Sequence, residues 1–201
     1  IEATAELLAQ DCKKSGSKIV LAPCINLHRM PYTGRHFECY SEDPLLSSKC
    51  AVAFIKGCQK RQIGCCAKHF IGNDLEDDRS VVSAKISERA LRMVYYPPFE
   101  AAVKEAKVAS IMTAYNRVNS IYAAESPLLN DVVRKEWGFE GLFMSDWWGN
   151  HSTVSAFKAG LNLEMPGIEP KYYGNRLLQA KRENLITRDE LVRNALPILK
   201  A

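Results

Sequence analysis

Five apolar, strand-like runs separated by helical patterns predict an α/β fold built from parallel βα units. Two further observations narrow it. No G-x-G-x-x-G follows any strand, which removes support for a dinucleotide-binding open sheet. Charged and aromatic residues cluster where the strands end, as they do on the catalytic rim of a (β/α)8 barrel. An open doubly wound sheet and part of such a barrel both remain compatible with the element order.

The elements follow from residue patterns. Ile1, Ala5, Leu8 and Cys12 recur at helical spacing, so Ile1–Lys14 reads as an amphipathic helix that stops at Ser15-Gly16-Ser17. The run Ile19–Ile25 reads as a buried strand. Glu42-Asp43-Pro44 opens a helix to about Arg61, with Leu46, Cys50, Ala53, Phe54 and Gly57 predicted along its buried face. A strand at Gly64–His69 and a polar loop, Gly72–Ser83, come next. Ser87-Glu88-Arg89 starts a helix through Tyr95 that continues as Phe99–Lys107, with a kink expected at Pro97-Pro98. Val108–Tyr115 is a strand, Pro127–Trp137 a helix, Gly141–Asp146 a strand, Thr153–Ala159 a helix and Leu161–Glu164 a short strand. Helices at Tyr172–Glu183 and Thr187–Leu199 close the chain, and no two strands are expected to be adjacent in sequence.

Composition sets the outer bounds. The 201 residues are 47% hydrophobic and 25% charged, enough to bury a core and too apolar for disorder. Twenty-seven Lys and Arg against 23 Asp and Glu give a net charge of +4, too weak to argue for nucleic acid or an anionic membrane as partner. No apolar run approaches the ~18–20 residues of a membrane span. Seven cysteines with no C-x-x-C spacing read as free thiols rather than a disulfide framework or a zinc site. The four histidines form no H-x-x-x-H pair, so neither a metal nor a cofactor is expected. The chain begins without Met or a signal-like segment, as though within a helix already under way. With the thiols, this points to the cytoplasm and leaves secretion open.

The strand ends carry the chemistry. Asn26, His28, Arg29, Tyr32, Arg35 and Glu38 follow the first strand; Lys68 and His69, then Asn73, Glu76 and Arg79, follow the second. Met112 to Asn116 end the third, Ser145-Asp146-Trp147-Trp148 the fourth, and Glu164 the fifth. Charged groups converging on one rim are costly unless paired or used. Asp146 has two readings: a cap on the next helix, or a carboxylate beside an aromatic platform, which suits the apolar face and hydroxyls of a sugar. Lys68 and His69 are either a satisfied polar pair or donors to adjacent hydroxyls, and Arg35 either an ion-pair residue or a donor to sugar oxygens. Core packing is the default for Met112, less so for Tyr115. The sequon Asn150-His151-Ser152 lies beside this rim, where a glycan would obstruct it.

Seven blocks then occur in order: Asn26-Leu27-His28-Arg29, Gly34-Arg35-x-Phe37-Glu38, Ser41-Glu42-Asp43-Pro44, Lys68-His69-Phe70-x-x-Asn73-Asp74-Leu75-Glu76, Ser87-Glu88-Arg89-Ala90-Leu91-Arg92, Met112-Thr113-Ala114-Tyr115-Asn116 and Met144-Ser145-Asp146-Trp147. Together they resemble the N-terminal barrel domain of glycoside hydrolase family 3, most closely its fungal β-glucosidases, from about Ile19 to Pro166 and more weakly beyond. The resemblance implies a partial TIM (β/α)8 barrel of about five βα units, an incomplete single domain over residues 1–201, and retaining hydrolysis of terminal β-D-glucosyl residues of glucans or cellobiose.

By the same resemblance Asp146 is the catalytic nucleophile. Arg35, Lys68 and His69 hold the hydroxyls of the glucose ring, Tyr115 stands near the nucleophile, Met112 lines the pocket, and Trp147 forms part of its wall. The ligand is then a β-glucoside or short gluco-oligosaccharide. The family's acid/base glutamate comes from a second, C-terminal α/β domain that is not among these residues. Glu76 and Glu164 do not match it, Glu76 standing where the family has a structural glutamate. The isolated chain is therefore expected to turn over little. The alternative is a catalytically incompetent fragment or truncated relative that binds sugar weakly. Its open barrel edges would invite association with another chain. An oxidoreductase on an open sheet has no phosphate loop to support it.

Overall fold

A computed structural model describes residues 1–201. Helix α1 (Glu2–Lys14), strand β1 (Ile19–Val20), helix α2 (Pro44–Lys60) and strand β2 (Gly64–Phe70) form its first part. Strand β3 (Ser83–Ala84) and helices α3 (Glu88–Ala90) and α4 (Tyr96–Lys104) follow. Next come β4 (Ser110–Thr113), β5 (Arg117–Val118), β6 (Ile121–Tyr122), β7 (Leu142–Ser145), α5 (Val154–Ala159), α6 (Asn175–Arg182) and α7 (Arg188–Lys200).

The main sheet has the order β1-β2-β4-β7, and every neighbouring pair is parallel. A fifth parallel strand is reduced to the Met144–Leu163 bridge, supported by Ser145 N–H donating to Leu163 O at 2.9 Å. Spatial order therefore follows chain order. A doubly wound sheet reverses direction at a switch point, whereas a barrel winds one way. The sheet is part of a (β/α)8 barrel, with five βα units.

Its two faces are unequal. Thirty-eight buried residues, including Ile55, Phe70, Phe99, Ile111, Leu129 and Phe143, fill the layer between strands and helices. Only Cys66, Met112, Leu142 and Met144 form a buried cluster on the other face, with Ile19, Leu21, Trp147, Leu163 and Met165 partly buried against them. Strand alternation explains the split: Ile111 and Phe143 point to the helices, while Met112 and Met144, one residue on, point inward. Phe70, at the end of β2, is edge-on to Phe99 (5.1 Å) and Trp137 (6.2 Å), contacts that anchor the strand end beside His69.

Several expectations need correction. The run Ile19–Ile25 does not pair continuously, because Pro23 has no N–H for the ladder; pairing resumes at the Cys24–Lys68 bridge. The buried face of α2 is Ser47, Ser48, Ala51, Val52, Ile55, Gly57 and Cys58, with Leu46 exposed. Small residues win this face because α1 comes very close: a Cβ on Gly57 would lie 2.4 Å from Glu2 O and 2.9 Å from Ala5 Cβ. On α1 the buried residues are accordingly Ala5 and Ala9, while Leu8 is exposed.

Adjacent strands do occur. Strands β5 and β6 form an antiparallel hairpin and β3 joins them in parallel. Asn119 and Ser120 turn it with φ of 49° and 75°, the left-handed pair such a two-residue turn requires. The Asn119 amide also bonds both Ile86 N and O. The expected kink before Pro97-Pro98 is absorbed as a π-helical stretch, Leu91–Tyr95, running straight into α4. Widening the turn accommodates prolines that have no N–H to donate and whose rings crowd the preceding carbonyls. The predicted helix at Pro127–Trp137 is likewise π-helical over Leu129–Glu136.

Candidate active site

The rim is assembled from the ends of β1, β2, β4 and β7. Between Ala67 and Phe70 the β2–β4 register shifts, so the regular in–out alternation breaks where Lys68 and His69 stand. His69 is almost wholly buried and held from behind by Asn26. Its N–H donates to Asn26 Oδ1 at 2.7 Å, and its carbonyl accepts from Asn26 Nδ2 at 2.9 Å.

That arrangement fixes the imidazole. Asn26 Oδ1 also faces His69 Nδ1 at 3.2 Å, so Nδ1 carries the proton. Nε2 is then the acceptor for Arg35 Nη2, also at 3.2 Å. Burial, and after it the charges of Arg35, Lys68 and Arg79, hold His69 well below the usual histidine range, so the ring is neutral. Asp146 Oδ2 approaches the same Nε2 at 3.4 Å, a contact that carries no proton in this state.

Arg35 rises from the loop after β1. It forks onto Glu38, with Nε to Oε1 at 2.7 Å and Nη2 to Oε2 at 3.2 Å, and its Nη1 lies 3.9 Å from Glu76. Lys68 Nζ is 3.4 Å from the same Glu38 Oε2. Burial alone would raise the Glu38 carboxyl, but the fork from Arg35 and the charge of Lys68 outweigh it and hold it below the usual carboxylate range. Arg79 bonds Glu76 at 2.6 Å and lies over the Tyr115 ring at 4.5 Å. Three cations, Arg35, Lys68 and Arg79, thus meet two carboxylates, Glu38 and Glu76, and Asp146 faces His69 beside them.

Asp146 directly follows β7. Its Oδ1 accepts the Trp147 N–H at 2.7 Å and its carbonyl accepts the Gly149 N–H at 2.9 Å. It does not cap the next helix: α5 starts at Val154, after Thr153. Burial, followed by the Asp146 charge and a hydrogen bond to that carboxylate, pushes the Tyr115 phenol up to about 12. Gly149 passes so close that a Cβ there would lie 3.2 Å from Asp146 O and 3.4 Å from Tyr115 Cδ1.

Arg35, Lys68, His69, Tyr115 and Asp146 are therefore drawn into one connected group. Trp147 stands beside it, half-buried against the inner cluster, while Trp148 turns outward at φ 57° and is 70% exposed. Met112 is fully buried in that cluster, so it forms floor rather than open wall. Glu164 is spent elsewhere: its two oxygens take the N–H groups of Lys171, Tyr172 and Tyr173 at 2.7–3.2 Å. Asn150, in the sequon, is 2% exposed. Asn26, Glu38 and Arg79 went unassigned in the sequence. The Arg35-x-x-Glu38 spacing hinted at the fork, whereas the Asn26–His69 lock spans 43 residues and leaves no local signal.

No helix is long and apolar enough to cross a membrane, and no group of three or more His, Cys, Asp or Glu is placed to hold a metal ion. Residues 1–195 match the glycosyl hydrolase family 3 N-terminal domain. The chain is 45% identical over 200 residues to a β-glucosidase from Rhizobium radiobacter, covering 99% of this chain and 24% of that protein. It is 43% identical over 196 residues to an exo-α-(1→6)-L-arabinopyranosidase from Bifidobacterium longum, covering 97% of this chain and 26% of that one. Among solved structures, the β-glucosidase from Kluyveromyces marxianus in complex with glucose superimposes with a TM-score of 0.95 at 38% identity, over 99% of this chain and 24% of that one. The chain spans about a quarter of the length of these relatives. It belongs to glycosyl hydrolase family 3, as its N-terminal domain.

Proposed function

We propose that this chain supplies the nucleophile and most of the sugar-binding rim of a retaining β-glucosidase. The observation that carries the reading is Asp146: a carboxylate at a strand end, with one oxygen on a backbone N–H and the other facing a neutral His69. Attack of Asp146 on the anomeric carbon forms a glycosyl-enzyme, which water then hydrolyses with inversion at each step and net retention.

Lys68 and Arg35 present donors to ring hydroxyls, His69 Nε2 accepts one in exchange for its Arg35 bond, and Trp147 offers an apolar wall for the C–H face. Retention needs a second carboxylate about 5–5.5 Å from the first, acting as acid and then base. Glu38 and Glu76 are engaged by arginines and Glu164 by backbone N–H groups, which leaves none of them free for that role. The acid/base is therefore expected from outside these 201 residues, in keeping with relatives about four times as long. The names of the relatives favour a glucoside, while the Bifidobacterium longum protein marks pentopyranosides as the competing sugar class.

The test is a 2-fluoro-glucoside with a good leaving group, which halts deglycosylation. In the complete polypeptide carrying this sequence, the label should map to Asp146. A label on any other residue overturns the assignment.

A further inference from the structure

Two thiols lie directly beneath the rim. Cys24, at the end of the first strand, and Cys39, one residue beyond Glu38, bring their sulfurs within 3.3 Å, and both are free. Cys24 Sγ is also 3.7 Å from His69 Nδ1 and 3.7 Å from Asn26 Oδ1, and Cys39 Sγ is 3.7 Å from Arg35 O. Both cysteines line a cavity of about 10 Å³ with Asn26, Arg35 and His69, room for a water-sized molecule. Such a space admits hydrogen peroxide more readily than a bulky disulfide such as oxidised glutathione.

We propose that Cys24 and Cys39 are an oxidative modification site, closed to a reversible disulfide by hydrogen peroxide, and that closing it disarms the sugar-binding rim. A disulfide needs its sulfurs at about 2.05 Å, so they must approach by about 1.2 Å. The two sulfurs share a hydrogen bond in which either can be the donor, so the step is written with Cys24 attacking and holds equally with the two exchanged. Cys24 attacks one peroxide oxygen: an S–O bond forms, the O–O bond breaks and the departing hydroxide leaves as water with the thiol's proton. Cys39 Sγ then attacks the sulfenic sulfur: the S–S bond forms, the S–O bond breaks, and a second water carries off the Cys39 proton. Two thiols lose two electrons and two protons, and one peroxide becomes two waters.

The consequence follows from what each sulfur adjoins. The bridge would staple the loop carrying Arg35 and Glu38 to the strand end behind His69. Drawing Cys39 inward moves Glu38, which holds both Arg35 and Lys68. Drawing Cys24 toward Cys39 alters the packing against the His69 ring. The loss of activity rests on the glucosidase reading; the chemistry of the thiol pair does not.

The experiment treats the complete polypeptide with graded hydrogen peroxide, alkylates the remaining thiols and maps tryptic peptides by mass spectrometry. The expected product joins peptide Ile19–Arg29 to peptide His36–Lys49, two hydrogens lighter than their sum and released by dithiothreitol, at doses that leave Cys12, Cys50, Cys58, Cys65 and Cys66 open to alkylation. Hydrolysis of an aryl β-glucoside should fall at least five-fold in parallel and return on reduction, and Cys39→Ser should lose this peroxide response. Failure of the two peptides to link in the folded protein, linkage to a different cysteine, or linkage with unchanged hydrolysis overturns the proposal. A linked, reducible pair in a protein with no glucosidase activity in either state would instead overturn the proposed function and leave the thiol chemistry standing.

Discussion

Glu38 never meets substrate in the proposed mechanism, yet it holds two groups that do, so Glu38→Gln isolates the electrostatics of the rim. Its carboxylate takes the Arg35 fork at 2.7 and 3.2 Å and faces Lys68 at 3.4 Å, with all three side chains between 16% and 23% exposed. Glutamine keeps the volume and one acceptor oxygen but loses the charge, and its amide must turn two donors toward one of the cations. A hydrogen bond to a charged partner contributes roughly 1.5–3 kcal/mol, so losing one of the pair should cost about 2 kcal/mol in holding Arg35 and Lys68. If that loss falls on transition-state binding, kcat/KM drops about 30-fold. The assay is initial rates on an aryl β-glucoside with the complete protein, alongside its thermal midpoint. Glu38→Asp should recover part of the loss by restoring charge at a longer reach. A Glu38→Gln protein within two-fold of wild type would refute the idea that this carboxylate positions the two cations.

Burial depresses the His69 pKa, so between its folded value and about 6.5 the unfolded chain binds the extra proton and stability falls as pH drops through that window. Urea midpoints at pH 7.5 and 5.5 should therefore diverge more for wild type than for His69→Gln. His36 and His151 shift the same way but persist in both proteins, so equal slopes would refute the assignment. Gly57→Ala drives a methyl into Glu2 O and Ala5 and should destabilise by about 1–3 kcal/mol in denaturant unfolding; an unchanged midpoint would show that α1 yields freely. Ser120→Gly, at φ 75° in the β5–β6 turn, should stabilise by several tenths of a kcal/mol, and a loss of stability would contradict the strain argument. Expressed alone, the 201 residues should hydrolyse aryl glucosides negligibly; turnover abolished by Asp146→Asn would reveal an acid/base within them.

What the sequence made legible was whatever chain-local chemistry encodes. Apolar runs and helix-start signals such as Glu42-Asp43-Pro44 placed nearly every helix and strand of the barrel. Interfaces were less legible, since a helix face rich in Leu and Phe looks like the core side until a close approach selects Ala, Ser and Gly instead, as between α1 and α2. The hairpin at Asn119-Ser120 escaped because its turn lacks the glycine that usually announces one. For the rim, strand-end position and motif resemblance named Arg35, Lys68, His69, Tyr115 and Asp146. The ties among them, Asn26 to His69 and Glu38 to Lys68, join residues 30 or more apart, which only the folded sheet brings together.

Those ties also explain why the rim is electrostatic rather than packed. The rim side chains stand above the inner cluster of Cys66, Met112, Leu142 and Met144 and outside the helix-facing core, so hydrophobic packing has little hold on them. Orientation comes instead from alternating charge: Arg79 on Glu76, Arg35 on Glu38, Lys68 on Glu38, and a neutral His69 wedged between Arg35 and Asp146. A protonated His69 would place an N–H against the Arg35 donor and engage Asp146 Oδ2 directly. Its neutrality, set by burial and three nearby cations, leaves that oxygen without an N–H bond from the ring. The chemistry proposed for Asp146 thus depends on a residue that need not exchange a proton at all, and any change that charges His69 should tie up the carboxylate as it lowers the stability of the fold.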